Sequence, residues 1–110
     1  MYYECLVYRC VMNSLPALLK RFETVTLRLF EKHGFRPVAF FTTAIGESHQ
    51  ELMYFLEWQS LDQRMTSWRS FRVDPEWLAA RVESEKNGQI VVTTSNQILE
   101  PTAFSPHPFR

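Results

Sequence analysis

The chain has 110 residues, 45% of them apolar and 15% aromatic, which is enough for one domain with its own core and no metal or disulfide staple. Disorder is excluded, because a chain this rich in Phe, Tyr and Trp buries enough area to offset its ordering entropy. Twelve basic and twelve acidic residues cancel, so no excess charge draws the domain to nucleic acid or to an anionic membrane.

The start, Met1-Tyr2-Tyr3-Glu4, has neither the basic n-region of a signal peptide nor an Arg-rich leader. No apolar run reaches the roughly 20 residues of a membrane span, and the expectation is an untargeted cytoplasmic protein. Residues 2–12 are β-branched, aromatic and free of Pro, and they predict a strand. Cys5 and Cys10 on that strand point to opposite faces, on the order of 16 Å apart. A disulfide spans no more than about 7 Å, so two reduced thiols in a reducing compartment are expected.

Asn13 or Ser14 then offers an N-cap, and Pro16 falls in the first helical turn, where its missing N–H costs nothing. Leu15, Leu18, Leu19, Phe22, Val25, Leu29 and Phe30 recur at helical spacing up to His33, and Gly34 supplies the stop. A second strand is predicted over 35–45 and a third over 51–58, with the short polar stretch 46–50 forcing a hairpin between them. Ser60 opens a second helix with Leu61, Met65, Trp68 and Phe71 on one stripe, and Asp74-Pro75-Glu76-Trp77 restarts it with a kink. It runs to about Lys86, Gly88 ends it, and a last strand covers 89–99. The tail, 101–110, holds three prolines with Ala103, Phe104 and Phe109 as anchors.

Two strand–helix–strand units joined by a hairpin make an α+β domain over 1–100, the ferredoxin-like βαββαβ fold. Right-handed crossovers give an antiparallel four-stranded sheet of order 4-1-3-2. Pro37 agrees, since a proline belongs on an edge strand and strand two is an edge. Two helices cover one face of such a sheet, yet both faces of the first three strands are apolar. Leu52, Tyr54, Leu56 and Trp58 oppose Met53 and Phe55, and Cys5, Val7 and Val11 oppose Leu6, Tyr8, Cys10 and Met12. An open apolar face of that size calls for a cover. A second copy packed sheet against sheet supplies it, with the tail from Pro101 lying across the partner.

Several stretches resemble the NIPSNAP family of dimeric α/β-barrel proteins. They are Tyr3-Glu4-Cys5-Leu6-Val7-Tyr8, Leu29 to Val38, Ser60-Leu61 with Arg64, Asp74-Pro75-Glu76-Trp77, and Ile98 to Pro106, in register along nearly the whole chain. Family members often carry Leu-Arg-Thr where Cys5-Leu6-Val7 stands, and Arg where Glu100 stands. The resemblance implies the ferredoxin-like fold and a dimeric barrel, without a settled activity. The wider barrel superfamily includes cofactor-free monooxygenases and haem-binding enzymes, but fold kinship does not carry function across.

No metal-ligand spacing is present: His33, His49 and His107 form no H-x-H or HExxH, and no Cys pair is placed for zinc. No cofactor fingerprint appears, neither a P-loop nor a GxGxxG. The basic and aromatic residues Arg64 to Arg72 fit an ordinary amphipathic helix, with Arg69 and Arg72 turned away from the buried stripe. Hydroxyls and indoles on strands expected to be buried need partners. Either they bond one another across strands, or they line a pocket between sheet and helices for a small apolar or aromatic ligand. The candidate pocket residues are Tyr8, His33, Thr42, Tyr54, Trp58, Arg64 and Trp68. Two other functions compete with ligand binding: a cofactor-free oxygenase, with His33 and after it Glu4 or Glu57 as the base, and a protein–protein adaptor without ligand. A filled interior favours the adaptor, and an open pocket of at least roughly 300 Å³ favours the ligand.

Overall fold

The β-rich N-terminal run forms β1 (Tyr2–Cys10) in the computed structural model of the chain, which describes residues 1–106. It is shorter than the predicted 2–12, because its register with the last strand shifts between Arg9 and Cys10 and Asn13 then takes a positive φ of 67°. The first helical run begins with α1 (Leu15–Arg21), passes through a π-helical turn (Phe22–Thr26) and resumes as α2 (Leu27–Lys32). Neither Asn13 nor Ser14 caps it through a side chain; the first N–H, of Leu15, is accepted instead by Gln50 Oε1 at 3.1 Å.

Gly34, at φ 81°, ends this run. Its N–H reaches the Glu31 carbonyl at 3.2 Å and the Phe35 N–H reaches that of Phe30 at 2.9 Å, the paired bonds of a Schellman motif. The Phe30 and Phe35 rings stack at 4.3 Å across it. Phe35 is thereby part of the core, and β2 (Pro37–Thr42) begins two residues later than predicted. β3 (Glu51–Trp58) follows a connection over 43–50. Ser60 caps α3 (Leu61–Arg72) by accepting from the Gln63 N–H, and Asp74 caps α4 (Pro75–Ser84) by accepting from that of Glu76. The last strand, β4 (Val91–Leu99), completes one antiparallel sheet of order β2-β3-β1-β4, the expected topology.

One face of β1 and β3 meets the helices. Leu6, Leu52, Tyr54, Leu56 and Trp58 pack there against Leu18, Phe22, Leu29, Phe30, Phe35, Trp68 and Phe71. The rings meet mostly edge-on, as aromatic quadrupoles favour. The α3 stripe differs from the expected one: Leu61 and Met65 are 46% and 53% exposed, and Ser67, Trp68 and Phe71 are buried. Arg64, at the same helical spacing, turns inward because a carboxylate awaits it in the sheet. The opposite face of the sheet carries Phe41, 47% exposed, and Met53, 40% exposed, with no helix or strand across it among the described residues. No helix among the described residues is long and apolar enough to cross a membrane.

Candidate functional site

α1, the π turn, α2 and α3 lie over the sheet, with α4 packed beside α1, the π turn and α3, and they leave β4 largely open. Between them and β4 is a cleft of about 540 Å³. Leu6 and Tyr8 of β1 form its floor, and Phe22, Phe30, Trp68, Phe71 and Trp77 give it aromatic walls. Thr94 and Asn96 close the β4 side. Of the candidate residues, the fold brings Tyr8, Arg64 and Trp68 to this cleft.

The others stand elsewhere. Tyr54 is fully buried behind Tyr8 and donates its hydroxyl proton to the Tyr8 oxygen at 2.7 Å. A hydroxyl that accepts in this way keeps its own proton for another acceptor, so Tyr8 can donate to a group in the cleft. Burial pushes both phenols up, Tyr54 well above the ordinary range, and both stay protonated. Trp58 is also fully buried and supports Glu4 from beneath. Thr42 is exposed at the far end of β2, beside Phe41, Ile45 and Met53. His33 sits at the end of α2, with Nε2 2.6 Å from Asp74 Oδ2 and Nδ1 2.9 Å from Ser70 Oγ. Ser70 Oγ also donates to the Ser67 carbonyl, and Lys32 Nζ shares the same Asp74 oxygen at 2.9 Å. These bonds tie the α2 end to the start of α4, and they hold the Asp74 carboxyl far below its ordinary range. None of Asp74, His33 and Ser70 lines the cleft, and together they clasp the α2 end to the start of α4. His107 lies outside the described residues.

The dominant polar group was not among the candidate pocket residues. Glu4 has no exposed surface, yet it accepts five bonds. Trp58 Nε1, Trp68 Nε1 and Arg64 Nε reach Oε1 at 3.0, 3.1 and 2.9 Å. Arg64 Nη2 and Asn96 Nδ2 reach Oε2 at 2.8 and 3.0 Å. Burial on its own would raise the Glu4 pKa, but the bonds from Arg64, Trp68, Asn96 and Trp58 outweigh it and hold the carboxyl below its ordinary value. A charged residue on the helix-facing side of an apolar strand was the one sequence signal for this cluster.

Arg21 is the second such group. It is buried at the end of α1, where Nη1 donates to Ser84 Oγ at 3.2 Å and lies 3.8 Å from Glu85 Oε1. Its guanidinium covers the Trp77 ring at 5.2 Å, and its Nε is buried with no hydrogen-bond partner. The π turn that follows places Phe22 beside it. There the Leu27 N–H reaches back five residues to the Phe22 carbonyl, and Thr26 Oγ1 donates to the Arg21 carbonyl at 3.3 Å. Such turns are concentrated at functional sites. Among the described residues, no three His, Cys, Asp or Glu side chains group as metal ligands would.

Comparison with known proteins agrees with this picture of the fold. No curated protein matches the chain. A NIPSNAP family protein of unknown function from Agrobacterium tumefaciens superposes with a TM-score of 0.84 at 27% identity, over 100% of this chain and 94% of that one. An uncharacterised NIPSNAP-like domain protein from Burkholderia xenovorans gives 0.83 at 22% identity, over 99% and 90%. A candidate antibiotic biosynthesis monooxygenase from Nitrosomonas europaea shares the fold at 0.62 and 8% identity, over 92% and 98%. The NIPSNAP family profile itself matches residues 3–106, and the chain therefore belongs to the NIPSNAP family.

Proposed function

We propose that the protein binds a small molecule with an apolar or aromatic body in the cleft between its helices and β4. The observation that carries the reading is the cleft itself, about 540 Å³ walled by five aromatic rings, within the size range of small-molecule sites. An adaptor without ligand needs no such space, and its interior would be filled by side chains. Oxygenase chemistry needs a base against the substrate. His33 is engaged by Asp74 and Ser70 outside the cleft, Glu57 pairs with Arg36 at 3.5 Å, and Glu4 is saturated by five donors. These placements favour binding over catalysis.

The working unit we propose is a homodimer joined through the open sheet face. Val7, Ala39, Phe41, Met53 and Phe55 make that face apolar, and a partner sheet removes it from water. The described part of the tail, 101–106, is exposed throughout, with Phe104 at 88%, and a partner's surface gives that ring a place to pack. Both thiols are free, which suits the reducing cytoplasmic setting expected for it.

The test is a thermal-shift screen of neutral apolar and aromatic compounds against the wild type and Thr94→Trp, which fills the cleft from β4. At a hundred times the dissociation constant a ligand adds about 2.7 kcal/mol, a rise of several degrees for a domain of this size. The shift should vanish in Thr94→Trp. No shift with any compound, or the same shift in the filled variant, would refute the reading.

A further inference from the structure

The walls of the cleft are aromatic, but its charged groups are unbalanced. Arg21, Arg64, Arg72 and Arg81 line it against two carboxylates, Glu4 and Glu85. Arg64 is spent on Glu4 through two short bonds. Arg81 Nε lies 3.4 Å from Glu85 Oε2, so Glu85 is shared between Arg81 and Arg21, whose own approach to it is the longer at 3.8 Å. Arg72 lies over the Trp68 ring at 5.4 Å, and no carboxylate among the described residues pairs with it. Two positive charges are therefore in excess, one of them on the buried Arg21, whose Nε is unsatisfied.

Burying a guanidinium with one long ion pair is costly unless a counter-charge completes it. The desolvation is visible in Arg21, whose pKa is lowered chiefly by burial. Tyr8, Arg21 and Arg72 all line this cleft. Tyr8 also has a proton to donate, because its oxygen already accepts from Tyr54.

Building on the ligand reading above, we propose that the cleft takes an amphipathic monocarboxylate. Its apolar body lies among Phe22, Phe30, Trp68 and Trp77, and its carboxylate is held by Arg21, Arg72 and the Tyr8 hydroxyl. Guanidinium groups bind carboxylates through paired N–H donors, and a low-dielectric wall of rings strengthens the attraction. A neutral ligand of the same shape would leave both arginines uncompensated. The site therefore discriminates on charge as well as shape.

The experiment is calorimetric titration of the full chain with two acid–amide pairs, 2-naphthoate with 2-naphthamide and decanoate with decanamide. Each pair has one body and differs in charge. We expect the preferred acid to bind at least about tenfold more tightly than its amide, or roughly 1.4 kcal/mol. That advantage should shrink as salt is raised and fall to near unity in Arg72→Gln. Arg72 is exposed and forms no ion pair among the described residues, so its variant should fold, which circular dichroism checks. Arg21→Lys, which keeps the charge but loses the fork, should retain part of the preference. Equal affinity for acid and amide would overturn the charge inference while leaving the apolar cleft intact. A preference unchanged in Arg72→Gln would overturn the assigned residues, and no binding by any of the four would overturn both readings.

Discussion

Glu4 is the residue on which the cleft wall turns, and Glu4→Gln tests that directly. The substitution keeps the side-chain volume, so no cavity term enters. It replaces an acceptor-only group by an amide with one oxygen, and the –NH2 then faces donors at either position. With Nε2 at the Oε2 position it meets Arg64 Nη2 and Asn96 Nδ2; at Oε1 it meets two indole N–H groups and Arg64 Nε. Breaking a buried ion pair from one side costs on the order of 3–5 kcal/mol. Arg64 keeps 22% of its side-chain surface exposed and can turn to water, which favours the lower end, about 3 kcal/mol. For a domain of this length that is a fall in Tm of about 12 °C.

The pH dependence carries a sign as well. The folded Glu4 carboxyl is held below its ordinary value of 4.5. Its contribution is therefore complete above the unfolded value and is lost as pH falls through the folded one. The gap between wild type and Glu4→Gln should be widest near pH 7 and should narrow below about pH 4.5. Urea unfolding followed by tryptophan fluorescence measures both, because Trp58 and Trp68 bond to Glu4 itself. A gap under about 1 kcal/mol at pH 7, the size of one ordinary hydrogen bond, would refute the reasoning. So would a gap that stays constant down to pH 3.

Light scattering at tens of micromolar should give about twice the 13.1 kDa chain mass, and Met53→Glu, charging the open face, should give monomer or aggregate; a wild-type monomer would end the dimer reading. Gly34→Ala puts a Cβ at φ 81° and 3.4 Å from Ser67 Oγ, so chemical unfolding should show a loss of about 1–2 kcal/mol, and a neutral result would mean the turn relaxes.

The fold was legible because its punctuation is local. Ser60, the Asp74-Pro75 pair and Gly34 mark helix ends by short-range bonds that any chain context preserves, and Pro37 marked the edge strand. The π turn was not legible, since Phe22 to Thr26 carries the same apolar spacing as an α-helix and differs only in which carbonyl each N–H reaches. The cleft was legible in part. Tyr8 and Trp68 are aromatic and fall where a pocket wall would be, but Glu4, Arg21 and Arg72 are charged, and charge on a helix or strand reads as solvent-facing. Burial of a charge depends on a partner 60 residues away, as with Arg64 and Glu4, and no local pattern encodes that distance.

The same non-local logic explains why the opening lies at β4. Four strands about 4.8 Å apart are no wider than two helices packed side by side can cover, so the opening reflects where these helices are drawn. α3 follows β3 and is pulled over β1 and β3 by the Arg64–Glu4 bonds and by Trp68. α4 could have covered β4, but its path is set at its first residue. Asp74, its cap, is held by Lys32 and His33 at the end of α2, and Glu76 pairs with Arg28. Farther along, Trp77 and Ser84 are drawn to Arg21. α4 therefore leans toward α1 and α2, buries none of its residues fully, and leaves the helix-facing side of β4 bare. Releasing that clasp with Asp74→Ala should loosen α4 and enlarge the cleft, and hydrogen exchange should rise in α4 before it rises in β1 or β3. Uniform exchange across all of these elements would mean that α4 is held by something other than the ion pairs at its start.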